Sequence, residues 1–105
     1  MKDYKYDKDK VRMDLLPFDC LTEIAKVLTH GAKKYKDNSW KTVKNGERRY
    51  LGALLRHIDA MERGKKIDPE SGLLHAAHMA CNAIFLLWFE LHKEGTTKIL
   101  DVNER

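Results

Sequence analysis

The stretch from Asp68 to Glu94, DPESGLLHAAHMACNAIFLLWFELHKE, constrains the fold more than any other part of the chain. Asp68 is a favourable N-cap, Pro69 suits the first helical position, and Glu70 brings negative charge to the first turn. Gly95 is a natural stop. The pattern predicts one helix over 69–94, apolar on nearly every side through Leu73, Leu74, Ala77, Met79, Ala80, Ile84, Leu86 and Leu87. A helix apolar nearly all round belongs at the centre of a bundle. One stripe on it is polar. Ser71, His75, His78 and Asn82 recur at i, i+4, i+7 and i+11, and the same face continues as Phe85 and Phe89. Polar groups sunk in an apolar face cost free energy unless something pairs with them. His75 and His78 are either core histidines bonded to neighbouring helices or a ligand pair, since i, i+3 spacing also suits a metal ion.

A chain of 105 residues is one domain with a modest core. The length of its apolar helix points to completion by a symmetric partner. Its N-terminus, MKDYKYDKDK, is charged and unlike a secretory signal, and the run AIFLLWF is too short to span a membrane. Cys20 and Cys81 lack metal-ligand spacing and read as reduced buried thiols of a cytoplasmic protein. The formal net charge of +4 is mild. The basic residues are spread along the chain and mixed with acids, which speaks for an anionic small molecule over nucleic acid.

Residues 1–9 read as an N-terminal arm, 10–94 as the helical domain and 95–105 as a tail. Lys10 to Pro17 reads as an extended lead-in, because the residue before proline is pushed out of the helical region. A first helix is expected from Phe18 to about Lys36, with Leu21, Ile24, Ala25, Leu28, Ala32 and Tyr35 as its apolar stripe. Gly31 within it reads as a close helix crossing. A loop follows in which Trp40 is either a lid on the core edge or a platform for a nucleobase. A second helix is expected over Gly46–Arg63, capped by Asn45, with Tyr50, Leu51, Leu54, Leu55, Ile58 and Met61 inward and His57 among them. The fold class is therefore all-α: a small bundle of three main helices around a long apolar one, completed by oligomerisation.

Inward polar groups fall on all three helices: Glu23, His57, and the set His75, His78 and Asn82. Basic residues lie around them, and Glu70 stands at the mouth. Acid and imidazole inside with cations outside suits a metal-bound polyphosphate.

Several motifs occur in a fixed order. They are K-x-R-x-D-L-x-P (Lys10, Arg12, Asp14, Leu15, Pro17), G-A-x-K-Y (Gly31, Ala32, Lys34, Tyr35) and N-x-W (Asn38, Trp40). Tyr50, A-L-x-R-H over 53–57 and D-P-E-S-G-L-x-H-x-A-H-x-x-x-N over 68–82 follow. Together, across roughly residues 8–90, they resemble the phage and prophage family known as the N-terminal domain of dATP/dGTP diphosphohydrolases, a relative of the MazG-like all-α nucleotide pyrophosphohydrolases. The resemblance implies a homo-oligomeric enzyme that converts a purine deoxynucleoside triphosphate to monophosphate and pyrophosphate with a divalent ion. MazG-like enzymes hold that ion with E-E-x-x-E and E-x-x-D clusters. Neither is present, and His75-x-x-His78 stands where E-x-x-D is expected, a substitution that favours Mn, Co or Zn over Mg.

On this resemblance Glu23, His57 and His78 are the candidate catalytic groups, and Glu23, His75, His78 and Glu70 the candidate metal ligands. Lys10, Arg12, Lys34 and Arg56 are candidates for the phosphates, with Trp40, Tyr50 and Asn82 for the base or other ligand contacts. The purine nucleotide is the expected partner and Mg, Mn or Co the expected ion. Two other readings stay open: a phage protein that binds and sequesters a nucleotide without cutting it, and an interaction module whose polar stripe sets helix register.

Overall fold

The computed structural model describes residues 8–93. Three helices carry the fold: α1 (Phe18–Lys34), α2 (Gly46–Glu62) and α3 (His75–His92). Single 3-10 turns precede α1 at Met13–Leu15 and α2 at Ser39–Thr42. The only pairing of extended backbone among the described residues is an isolated antiparallel bridge between Ile67 and Leu74. The chain is an all-α bundle of three main helices. The expected arm at 1–9 lies mostly, and the tail at 95–105 wholly, outside the described residues.

The helices form where apolar spacing predicted them, with α1 and α2 within two residues of the expected ends. α3 differs. It begins at His75, not Pro69, and Asp68–Leu74 is a closed loop instead of the first turns of helix. Asp68 N–H donates to the Leu73 carbonyl at 2.8 Å, and Gly72 N–H donates to the Asp68 carbonyl at 2.8 Å. The Asp68 carboxylate accepts from the Ser71 amide at 3.1 Å and the Ser71 hydroxyl at 2.8 Å. An Asp that bonds its own backbone three residues on offers the chain an alternative to helix. Gly72, at φ +74°, adopts the left-handed conformation that ends it. His75 N–H then donates to the Lys66 carbonyl at 2.9 Å, so the loop closes like a clasp before α3 starts.

Other expectations are corrected in smaller ways. The lead-in is extended at Leu16, before Pro17, but Met13–Leu15 is a turn braced by Arg12, whose guanidinium bonds Asp14 at 2.8 and 2.7 Å. Asn45 does not cap α2 with its side chain; it sits in the left-handed region at φ +57°. Cys20 is exposed, whereas Cys81 is buried as expected, and burial pushes its thiol up to about 12. On α1 the buried position is Val27, with Ile24 packed beside it, while Ala25, Leu28 and Tyr35 of the expected stripe are exposed.

The core is small. Val27, Ala77 and Cys81 are its buried apolar residues, with Ile24, Leu73, Leu74 and Phe85 against them. α3 supplies most of it and packs on both other helices. Beside the core lies an aromatic cluster. Trp40 stacks on Phe85 at 4.2 Å between centroids and meets Trp88 and Phe89 edge-on. Tyr50 abuts Phe85 and donates its hydroxyl to the Trp40 carbonyl at 3.1 Å. Trp40 thus packs over the edge of the core, the position that the lid reading expects.

Gly31 does not mark a helix crossing, because a Cβ built on it meets nothing within 4 Å. Replacing a helix-interior Gly by Ala in open space gains about 1 kcal/mol. Gly31→Ala is therefore expected to raise Tm by roughly 4–8 °C, read by thermal denaturation.

Candidate imidazole site

Three histidines from two helices meet beside the clasp. His57 lies in the second half of α2, His75 opens α3, and His78 follows one turn later. The Nδ1 atoms of His57 and His75 are 2.8 Å apart. The His57 ring lies on the His78 ring at 4.7 Å between centroids and 9° between planes. His75 is buried, and its Nε2 has no hydrogen-bond partner. Asn82 is buried one turn beyond and donates to the His78 carbonyl at 2.9 Å.

The clasp determines how His78 is held. Ser71 Oγ is 2.7 Å from His78 Nε2, and the Asp68 carboxylate is 3.5 Å from the same nitrogen. Ser71 Oγ has one proton, which goes to the Asp68 carboxylate, and it accepts from the Leu73 amide at 3.1 Å. It therefore accepts from His78 as well, so His78 carries its proton on Nε2 and offers Nδ1 as a base. Burial works against the charge on Asp68, yet the Ser71 bonds and the nearby imidazoles hold its carboxyl below the ordinary range.

The His57–His75 contact holds a single proton between two Nδ1 atoms. A buried N–H without an acceptor is costlier than a buried lone pair without a donor. His75 therefore donates from Nδ1, and its Nε2 is a buried lone pair with no donor facing it.

Burial, and then His78 and His75, lower the proton affinity of His57. Burial also lowers that of His78, against the opposing pull of Asp68. Both rings are thus neutral bases near neutral pH. In the unfolded chain they titrate near ~6.5. Below that pH the unfolded chain takes up protons that the folded chain resists, so stability falls as pH drops through ~6.5 and is independent of these rings well above it. A Tm series across pH is expected to show this decline, and His57→Gln is expected to flatten it.

The structure brings together His57, His75, His78 and Asn82 of the sequence candidates. The others lie elsewhere or are engaged. Glu23 pairs with Lys26 at 2.7 Å on its own helix. Glu70 pairs with Lys34 across the clasp, which holds its carboxyl low and the Lys34 ammonium high. Arg12 is bound to Asp14, and Lys10 is exposed on the lead-in. Arg56 is exposed beside His57. Trp40 and Tyr50 are committed to the aromatic cluster, about two turns along α2 from His57. Among the described residues, no three His, Cys, Asp or Glu side chains are arranged to hold a metal ion. His57 and His75 spend nitrogens on each other, and Asp68 spends its carboxylate on Ser71.

Two features of the site were missed as such. Asp68 and Ser71 act through a D-x-x-S spacing that signals a local turn as readily as a helix cap. Ser71 also lines an open groove of about 360 Å³ against α1, with Lys26, His30 and Lys33 among its walls. That groove places the Lys26 and Lys33 side chains on the Ser71 side of the cluster, where the sequence pointed to Lys34.

The fold is a three-helix domain in which a histidine–serine–aspartate cluster forms where α2, the start of α3 and the clasp meet. The family described as dATP/dGTP diphosphohydrolase, N-terminal, matches residues 1–99, and the chain belongs to it. It is similar to a dATP/dGTP diphosphohydrolase of Salmonella phage PMBT28, 35% identical over 88 residues. That match takes in 84% of this chain and 30% of the relative, so the chain spans less than a third of the relative's length. No solved structure matches it. Among the described residues no helix is long and apolar enough to cross a membrane.

Proposed function

We propose that this domain binds a purine deoxynucleoside triphosphate at the imidazole cluster and hydrolyses it between the α- and β-phosphates. The observation that carries the reading is His78, whose Nε2 is held by Ser71 and Asp68 and whose Nδ1 is left as a neutral base. The name of the phage relative, a dATP/dGTP diphosphohydrolase, supports the substrate class. In the proposed step a water oxygen attacks the α-phosphorus and gives its proton to His78 Nδ1. The bond from the α-phosphorus to the bridging oxygen breaks, and pyrophosphate leaves. Lys33 of the adjoining groove offsets part of its charge. General-base assistance of this kind contributes about 10²–10⁴-fold.

The divalent ion belongs to this proposal as Mg, Mn or Co entering with the triphosphate. Glu23, Glu70, His75 and His78 do not form one ligand set within a single chain. The second reading is capture without hydrolysis. It is favoured by the mutual engagement of His57 and His75, which leaves two imidazoles facing each other. Reaction in ¹⁸O-water separates the readings. Label in the monophosphate supports attack at the α-phosphorus, label in pyrophosphate contradicts it, and triphosphate that binds tightly and is recovered intact supports capture.

A further inference from the structure

The contact between His57 and His75 fixes more than the position of their shared proton. His75 is only 6% exposed, and its Nε2 has no partner. A proton on that nitrogen would be a buried N–H without an acceptor, so the ring keeps its proton on Nδ1 and donates it to His57 Nδ1, 2.8 Å away. A neutral imidazole carries one ring proton. His57 accepts at Nδ1, and its own proton therefore sits on Nε2. The burial of one ring selects the tautomer of the other.

The Nε2 edge of His57 is open. The residue is partly buried, but this nitrogen reaches solvent and bonds no group among the described residues. An N–H edge has no lone pair for a cation, so what it takes is an acceptor. The His78 ring lies parallel at 4.7 Å between centroids, with Nδ1 left as a base. Two stacked rings thus offer opposite functions, a lone pair on one and an N–H on the other. A phosphoryl group under attack by water uses both: a base for the water, and a donor for the charge that builds on its oxygens. Arg56, the preceding residue on α2, is exposed and close enough for its charge to act on the His57 ring, which further favours an anion. With the opposite tautomer His57 would present a lone pair to those oxygens and repel them.

We propose that His57 presents Nε2–H to a phosphate oxygen of the bound triphosphate, and that His75 is a positioning residue that fixes this tautomer and the rotation of the ring. The proposal rests on the reading of this cluster as a triphosphate site.

Long-range ¹H–¹⁵N correlation from the carbon-bound ring protons reads each tautomer in the protein without ligand, and His57→Gln supplies the assignment. His57 is expected to carry its proton on Nε2 and His75 on Nδ1. A His57 ring protonated on Nδ1 overturns the proposal. Inorganic triphosphate is expected to shift the His57 Nε2 resonance of the wild type, and a resonance that stays in place at millimolar triphosphate also overturns it. In turnover of dGTP, His75→Met keeps bulk and removes the donor. It is expected to lower kcat by roughly 10–10²-fold, the cost of a misplaced group at the chemistry, with little change in KM. His75→Asn retains an N–H donor near the position of Nδ1 and is expected to recover most of that loss. Equal kcat in wild type and His75→Met contradicts the positioning role. The two wild-type spectra decide the matter if His75→Met does not fold. If no triphosphate is cleaved, the hydrolytic reading fails by itself, and the shift caused by inorganic triphosphate still decides whether His57 faces the ligand.

Discussion

His78→Ala is expected to reduce triphosphate turnover by about 10²–10⁴-fold, the range for losing a positioned general base. The fold is expected to survive, because His78 is at the edge of the core and its removal leaves Val27, Ala77 and Cys81 packed. Asp68→Asn acts on the same atom from a distance. An amide still accepts from Ser71, but the charge that favours the Nε2–H form of His78 is gone. Its effect is therefore expected to be smaller and to appear in the pH profile of kcat, which reports the basicity of His78. A His78→Ala variant with unchanged turnover would remove His78 from the chemistry, whatever the fate of the rest of the site.

The second large effect concerns stability. Trp40 is half-buried, stacked on Phe85 and flanked by Trp88 and Phe89, with Lys41 over its ring and that of Trp88. It anchors the α1–α2 connection to α3. Truncating a fully buried Trp costs about 3–5 kcal/mol. With part of the ring in solvent, Trp40→Ala is expected to cost roughly 2–3 kcal/mol, a drop of 10 °C or more in Tm. Because the ring is committed to the lid, the KM of the folded variant is expected to change little. A many-fold rise in KM with no loss of Tm would return Trp40 to the role of base platform.

The three helices were legible because each carries a long 3.6-residue apolar pattern between breakers. The start of α3 was not. Asp68-Pro69-Glu70 obeys every rule of a helix N-terminus, and only the bonds from Asp68 to Ser71 and the left-handed Gly72 decide for a turn. The polar stripe survived that error, since Ser71 still reaches His78 from the clasp. The phase of α1 was misjudged because Val27 carries the burial that periodicity spread over Ala25 and Leu28. The pairing of Lys34 with Glu70 was illegible for a different reason. Each was recognised as a charge beside the site, but two residues so far apart in sequence show no sign of neutralising each other. The His57–His75 contact was equally hidden, because helix periodicity gives the face of each ring and not the rotamer that turns its Nδ1.

The most direct test of the central claim compares wild type with His78→Ala on dATP and dGTP, with Mg²⁺, Mn²⁺ or Co²⁺, the products being resolved by ion exchange. Deoxynucleoside monophosphate and pyrophosphate from the wild type, and almost none from an equally folded variant, is the predicted result. Triphosphate that survives the wild type under every ion, or equal cleavage by the variant, would contradict a hydrolytic site built on His78.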